Sequence, residues 1–263
     1  MLRIYFRNDR KLLGKLSRCA YRTLLLLYQT TLEREDVAPG VIISIQTFGD
    51  LMNFHPHLHA IVSEGCFDAG GVFYQLPPVS SKKMEEIFSH ELFRLLLNEG
   101  KITEEVVNLL ESWQHSGFSV HQEVRIDGKD MGGLEGLIQY IGRAPLSEEK
   151  MLVKPEAKSI LYHSKMNPSI KRNFEVFSPL EWLAALCMHI PDKGQHLIRY
   201  YGYYSNKSRG MREKNGAGKA GSLSIEVSNL SSRECRLRWA SLIQKIYEVN
   251  PLVCPDCGGE MKI

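Results

Sequence analysis

A chain of 263 residues with 43% apolar side chains is long enough for one sizeable core plus an appendage, or for two small domains, and needs no disulfides to fold. A net charge of +3 permits a nucleic-acid partner without demanding one. Leu24 to Tyr28 is apolar but far too short to span a bilayer, so no membrane partner is expected. The start lacks a continuous apolar region with a cleavage site, and a reducing cytosol is the expected compartment.

In chain order, residues 9 to 33 predict a helix with Lys11, Lys15, Arg18 and Arg22 on a solvated side and leucines toward a core, stopped by Pro39-Gly40. Residues 41 to 48 are rich in β-branched side chains and predict a buried strand. A second strand is predicted at 57 to 63 and a third at 72 to 76. The first two, joined by a short link, are expected to be antiparallel neighbours. Helices are expected at 81 to 98 and 103 to 113, an alternating strand at 118 to 126, and an amphipathic helix at 134 to 142 after Gly132 and Gly133. Strands near 151 to 153, 159 to 163 and 173 to 177, a helix at 179 to 189 and a strand at 196 to 202 follow. The basic, glycine-rich run 207 to 222 predicts a flexible linker, and 233 to 249 a last helix.

The segment Asn53-Phe-His-Pro-His-Leu-His-Ala60 places His55, His57 and His59 at alternate positions. In an extended strand alternate side chains share a face, so His57 and His59 can offer two imidazoles to one divalent cation. Hydrogen-bonded structural histidines would give the same pattern. Downstream, Tyr140 lies near the end of its predicted helix. Such a tyrosine is ordinarily a packing residue, but a tyrosyl oxygen beside a cation can also attack a phosphodiester. Of six cysteines, Cys19, Cys66, Cys187 and Cys235 are scattered and expected to be small buried hydrophobes. Cys254 and Cys257 form a Cys-x-x-Cys pair, half of a tetrahedral zinc set.

Five strings then occur in order: Gln46-Thr-Phe-Gly-Asp50, His55-Pro-His-Leu-His59, Tyr140-Ile-Gly-Arg-Ala-Pro145, His196-Leu-Ile-Arg-Tyr-Tyr-Gly202 and Cys254-Pro-Asp-Cys-Gly-Gly259. Together they resemble the HUH-type transposases of rolling-circle insertion sequences, the two-tyrosine or IS ninety-one-like family, over nearly the whole chain. The resemblance implies an α+β fold: a central antiparallel sheet flanked by helices, the histidine pair on a central strand, the nucleophilic tyrosine on a nearby helix, and a helical and irregular C-terminal region. It implies a catalytic region over 1 to 147, its DNA-contacting continuation over 148 to 206, the linker at 207 to 222, and a terminal helix with a half zinc-knuckle over 223 to 263.

By the same resemblance His57 and His59 are metal ligands and Tyr140 is the nucleophile, cleaving single-stranded DNA at element ends through a 5′-phosphotyrosine. The implied metal is magnesium or manganese, although two imidazoles suit zinc or manganese better on ligand preference. For a third ligand the first candidate is Gln46, with His55 and Asp50 as alternatives. Arg143, one helical turn after Tyr140, is a candidate phosphate-binding cation or a helix C-terminal charge. The interleaved segment with Arg199, Tyr201, Lys207, Arg209 and Arg212 is a candidate single-strand contact, with charges on phosphates and rings on bases.

Three departures bear on these expectations. Gly136 stands where two-tyrosine members carry their other tyrosine, so a single-tyrosine mechanism is expected. Nothing corresponds to the family's N-terminal zinc-binding domain, and the chain ends six residues after Cys257. The rival readings are a truncated, inactive DNA-binding remnant and a rolling-circle replication initiator or relaxase.

Overall fold

The structure is a computed structural model describing residues 2–115, 117–167, 171–215, 225–227, 231–248, 250–255 and 257–261. Its elements run α1 (Arg3–Asn8), α2 (Lys11–Leu32), β1 (Ala38–Phe48), β2 (Phe54–Phe67), β3 (Phe73–Gln75), α3 (Ser81–Asn98), α4 (Glu104–Glu111) and α5 (Met131–Ile141). They continue β4 (Met151–Lys154), β5 (Ser159–Asn167), β6 (Arg172–Phe177), α6 (Pro179–Cys187), β7 (Ile198–Gly202), α7 (Asn206–Lys214), β8 (Ile225–Val227) and α8 (Ser232–Tyr247). The architecture is α+β. One sheet has the strand order β7-β1-β2-β3-β8 and the other β4-β5-β6. The second sheet is antiparallel throughout, with Leu152 opposite Leu161 and Leu161 opposite Val176. In the first, β2 and β3 pair antiparallel but β3 and β8 run parallel, so that edge differs from the expected antiparallel arrangement. Among the described residues no helix is long and apolar enough to cross a membrane.

By contacts the chain falls into two compact units, one of Met1–Ser17, Ile43–Ala60 and Glu123–Arg199, the other of Arg18–Ile42, Ile61–Gln122 and Tyr200–Ile263. In the first unit Met52, Ile160, Tyr162, Trp182 and Ala185 form a buried cluster, with the Trp182 ring 5.2 Å from Tyr162 and 5.4 Å from Phe177. Helix α6 starts on a capping box between Ser178 and Glu181 with Pro179 in its first turn. At its other end the Arg10 guanidinium donates to the Met188 carbonyl at 2.7 Å and to that of Ile190. A cation there meets the unpaired carbonyl of the helix cap, Met188, and one just beyond it.

In the second unit the buried side chains include Leu24, Leu27, Val41, Met84, Ile87, Leu92, Leu96 and Val107. Glu91 is buried among them and is held by Arg22 at 3.2 Å and Arg94 at 2.7 Å. Gly202 ends β7 at φ +56°, where a Cβ would lie 1.9 Å from the Pro39 carbonyl oxygen. The neighbouring Tyr203 N–H donates to that same oxygen at 3.0 Å. Only a residue without a side chain allows this approach.

Several expectations are corrected. The helix expected over 9 to 33 is preceded by a separate α1, with Asp9 at the break. Pro39 and Gly40 do not punctuate but belong to β1, where the Pro39 carbonyl is used as above and the Gly40 N–H donates to the Ser63 hydroxyl at 2.9 Å. Residues 118 to 126 form no strand: most of the run is exposed, and alternation without a pairing partner does not make a ladder. Its anchor is Phe118, edge-on to Phe88 and Phe93. Helix α5 starts at Met131, because the Asp130 carboxylate accepts from the Gly133 N–H at 2.9 Å and caps it. Asn206–Lys214, read from composition as linker, is helix α7, capped by Ser205; 216 to 222 lie outside the described residues. Cys19 and Cys66 are buried as expected, whereas Cys187 is exposed and Cys235 half-buried.

Candidate active site

Strand alternation puts Ser44, Gln46 and Phe48 of β1 on one face, and His55, His57 and His59 of β2 on one face. Ring contacts show that these faces coincide: Phe48 lies edge-on to His57 at 6.3 Å, and the imidazoles of His57 and His59 are 4.9 Å apart. Helix α5 is fastened to the same face by its last carbonyl. The Ile141 oxygen, unpaired by the helix, accepts from the Gln46 amide nitrogen at 2.9 Å and the Ser44 hydroxyl at 3.3 Å. That fastening brings Tyr140, the preceding residue, to His59, their rings edge-on at 5.2 Å.

Tyr140 is 50% exposed, and among the described residues its hydroxyl has no hydrogen-bond partner. Arg143 does not lie on the helix, which ends at Ile141, yet its guanidinium packs 4.8 Å over the Tyr140 ring and 5.5 Å over Phe48. The cation therefore sits beside the tyrosine by stacking rather than by sharing a helix turn.

The histidines differ in their bonding. The His57 Nδ1–H donates to the His55 carbonyl at 2.8 Å, which leaves the Nε2 lone pair for another partner. His59 Nε2 and Gln46 Oε1 are both buried with no hydrogen-bond partner. Buried polar atoms are seldom left unpaired, and two of them flank the same tyrosine-bearing helix. Burial lowers the pKa of His59, and the neighbouring charges of His57 and Arg143 lower it further, so its ring is held neutral and able to donate a lone pair. His55 is lowered chiefly by burial, then by Arg3 and His57, while Asp50 acts in the opposite direction. By donor chemistry alone, imidazole nitrogens and an amide oxygen are ligands of the kind that divalent manganese or zinc accepts. Among the described residues no group of three or more His, Cys, Asp and Glu is placed to hold a metal, and Gln46 falls outside that set.

The remaining expected residues are not all gathered here. The half-buried Arg199 donates to the His196 carbonyl at 3.3 Å, and its guanidinium lies over Gly14. In the second unit Tyr201 stacks on Tyr21 at 5.0 Å, and Tyr203 is sandwiched between Phe67 at 3.9 Å and the Arg212 guanidinium at 3.7 Å. Arg212 also donates to the Tyr203 carbonyl at 2.9 Å, so much of the interleaved aromatic and basic pattern encodes packing. Lys207 and Arg209 remain exposed on α7, Arg209 lying 3.9 Å from Glu213. A pocket of about 380 Å³ is lined by Tyr21, Phe67, Tyr203, Lys207 and Arg212, among others. Cys254 and Cys257 sit on a small turn closed by the Gly258 N–H donating to the Cys254 carbonyl and the Cys254 N–H to the Gly259 carbonyl, both at 2.9 Å.

Sequence reasoning passed over two contributors. Phe48 touches both His57 and Arg143, and it reads in the sequence as one more apolar strand residue. His189 is buried, edge-on to Phe48, and carries no periodic signal.

Comparison with known proteins identifies the family of the chain. Residues 40–212 match the family model described as "Putative transposase". The chain is 22% identical over 272 residues to the transposase for insertion sequence element IS801 of Pseudomonas savastanoi pv. phaseolicola, covering 98% of this chain and 63% of that protein. It thus spans somewhat less than two thirds of that relative's length. No solved structure matches it. A family match over residues 40–212 takes in both strands of the histidine face, helix α5 and the segment through β7, and the chain belongs to this transposase family.

Proposed function

We propose that the chain is a single-tyrosine DNA strand-transferase that cleaves single-stranded DNA at element ends, with Tyr140 as nucleophile and His57, His59 and Gln46 as the cation-binding set. The observation that carries this reading is the pair of buried, unpartnered polar atoms, His59 Nε2 and Gln46 Oε1, on the face where an exposed tyrosine is fastened. A bound manganese or magnesium ion would polarise the scissile phosphate. The Tyr140 oxygen attacks phosphorus, the bond to the 3′ oxygen breaks, and the products are a 5′-phosphotyrosine and a free 3′-hydroxyl. The Arg143 guanidinium, beside the tyrosine ring, binds a non-bridging phosphate oxygen and orients the ester. A second strand's 3′-hydroxyl reverses the step and regenerates tyrosine.

Lys207 and Arg209, exposed on α7, supply phosphate contacts in this reading. The thiols of Cys254 and Cys257 are the proposed half of a zinc site.

The test is incubation of end-labelled single strands carrying candidate element ends with the protein and manganese, then denaturing electrophoresis and peptide mapping. A labelled adduct on the Tyr140 peptide is the expected result. A folded, metal-loaded protein that binds the strands but forms no adduct would leave a DNA-binding remnant as the function.

A separate expectation concerns Gln46→Leu. It removes the orphaned oxygen and, with it, the amide nitrogen that donates to the Ile141 carbonyl at 2.9 Å; that carbonyl keeps the Ser44 hydroxyl at 3.3 Å, so metal-free stability should fall by about 0.5–1.5 kcal/mol. Manganese affinity should fall by about tenfold or more, measured by titration calorimetry.

A further inference from the structure

His189 lies at the centre of contacts that converge on the connection between β1 and β2. Its ring is buried, with 6% of its surface exposed, and both ring nitrogens are engaged. A carbonyl can only accept, so Nε2 must carry the proton that it donates to the Met52 carbonyl at 3.1 Å. The neutral ring then has its lone pair on Nδ1, which accepts from the Thr47 hydroxyl at 3.0 Å. Burial also pushes the ring toward this neutral form. One imidazole thereby ties the next-to-last residue of β1 to the next-to-last residue of the connection.

The connection needs such a tie. Met52 is a non-glycine residue in the left-handed region, at φ +61°, a conformation that costs about 1–3 kcal/mol unless its surroundings impose it. The surroundings are visible: Met52 is in the buried cluster with Trp182, and its carbonyl is taken by His189. The Phe54 ring, at the first residue of β2, stacks on His189 at 6.4 Å with 8° between the planes. Phe48 meets His189 edge-on at 6.2 Å and His57 edge-on at 6.3 Å. A side chain that fixes Thr47, Met52, Phe48 and Phe54 fixes the relation between Gln46, next to Thr47, and the histidines that follow Phe54. A slip of one residue there would turn every β2 histidine to the other face.

We propose that His189 is a positioning residue of the cation-binding face, setting the register in which Gln46, His57 and His59 present their donor atoms. This rests on the metal-site reading above. It predicts a graded series. His189→Ala should weaken manganese binding by about ten- to a hundredfold, as loss of an outer-shell partner does, and His189→Gln, which keeps an N–H for the Met52 carbonyl, should recover most of it. Thr47→Val, nearly isosteric, should cost about threefold, the smaller share expected of the neutral hydroxyl bond.

The experiment is calorimetric titration of the metal-free variants with manganese, beside thermal melting and amide exchange of the metal-free proteins. Ile160→Val, which loosens the same cluster without touching the tie, is the control. The expected result is weaker manganese binding in the order His189→Ala, Thr47→Val, His189→Gln, with Ile160→Val unchanged. In the metal-free His189→Ala protein the Gly49 amide, which donates to the Asn53 carbonyl at 3.0 Å across the connection, should exchange about five- to tenfold faster, the local opening expected when a hydrogen bond that ties the connection is lost.

Unchanged affinity in His189→Ala and Thr47→Val overturns the proposal, as does an equal loss in Ile160→Val at matched stability. If His189→Ala fails to fold, unchanged affinity in Thr47→Val overturns it alone. Wild-type protein that binds no manganese refutes the metal-site reading; faster Gly49 exchange would then still report the tie.

Discussion

Tyr140→Phe is expected to abolish the covalent protein–DNA adduct, a loss of about 10⁴-fold or more, as removal of a nucleophile costs elsewhere. Everything except the attacking oxygen should survive. The ring keeps its edge contact with His59 and its place under Arg143, and the lost hydroxyl leaves no partner unsatisfied among the described residues. Melting temperature, manganese affinity and the dissociation constant for single strands should therefore stay close to wild type, the last within about twofold. Denaturing electrophoresis beside a filter-binding titration separates the two effects. Joint loss of adduct and strand binding would instead make Tyr140 a structural tyrosine.

Gly202→Ala should produce the largest loss of stability of any small substitution considered. The added Cβ would meet the Pro39 carbonyl oxygen at 1.9 Å, a backbone atom that cannot swing aside, at a φ of +56° that side chains rarely adopt. The left-handed conformation alone costs about 1–3 kcal/mol, and the displaced Pro39–Tyr203 hydrogen bond adds about 1 kcal/mol. For a chain of this size that lowers the melting temperature by about 10 °C. Gly210→Ala is the matched control. It lies inside α7 with nothing within 4 Å of the added atom, and should stabilise by about 0.5–1 kcal/mol. Thermal melting followed by circular dichroism decides both.

Much of this was legible in the sequence where a local signal and its tertiary use coincide. The β-branched run at 41 to 48 became β1, and the alternating histidines share a face because a strand has a period of two. Helix α3 begins and ends where the sequence places it, with Ser80 as its N-cap. What stayed hidden depends on partners distant in sequence. The alternation of 118 to 126 is genuine as a pattern but has no strand to pair with. Gly-rich, basic residues after Ser205 look unstructured until Arg212 stacks on Tyr203 and bonds its carbonyl. The tyrosines of 201 and 203 signal base stacking by composition, while their partners Tyr21 and Phe67 lie more than a hundred residues earlier. His189 is invisible for the same reason: its meaning lies in Thr47 and Met52.

The Gln46 amide faces two ways. Its nitrogen holds the end of the helix that carries Tyr140, and its oxygen is left over. A carboxylate at this position would bind a cation more strongly, but it would set an oxygen against the Ile141 carbonyl and release the helix. The fastening therefore requires an uncharged side chain, and the proposed donor set, two imidazoles and an amide, carries no negative charge. On the proposed reading, a cation bound there keeps its full double charge for the phosphate. The protein thus gives up affinity for the metal in its resting state and gains a stronger pull on the substrate, so cation and DNA should bind cooperatively.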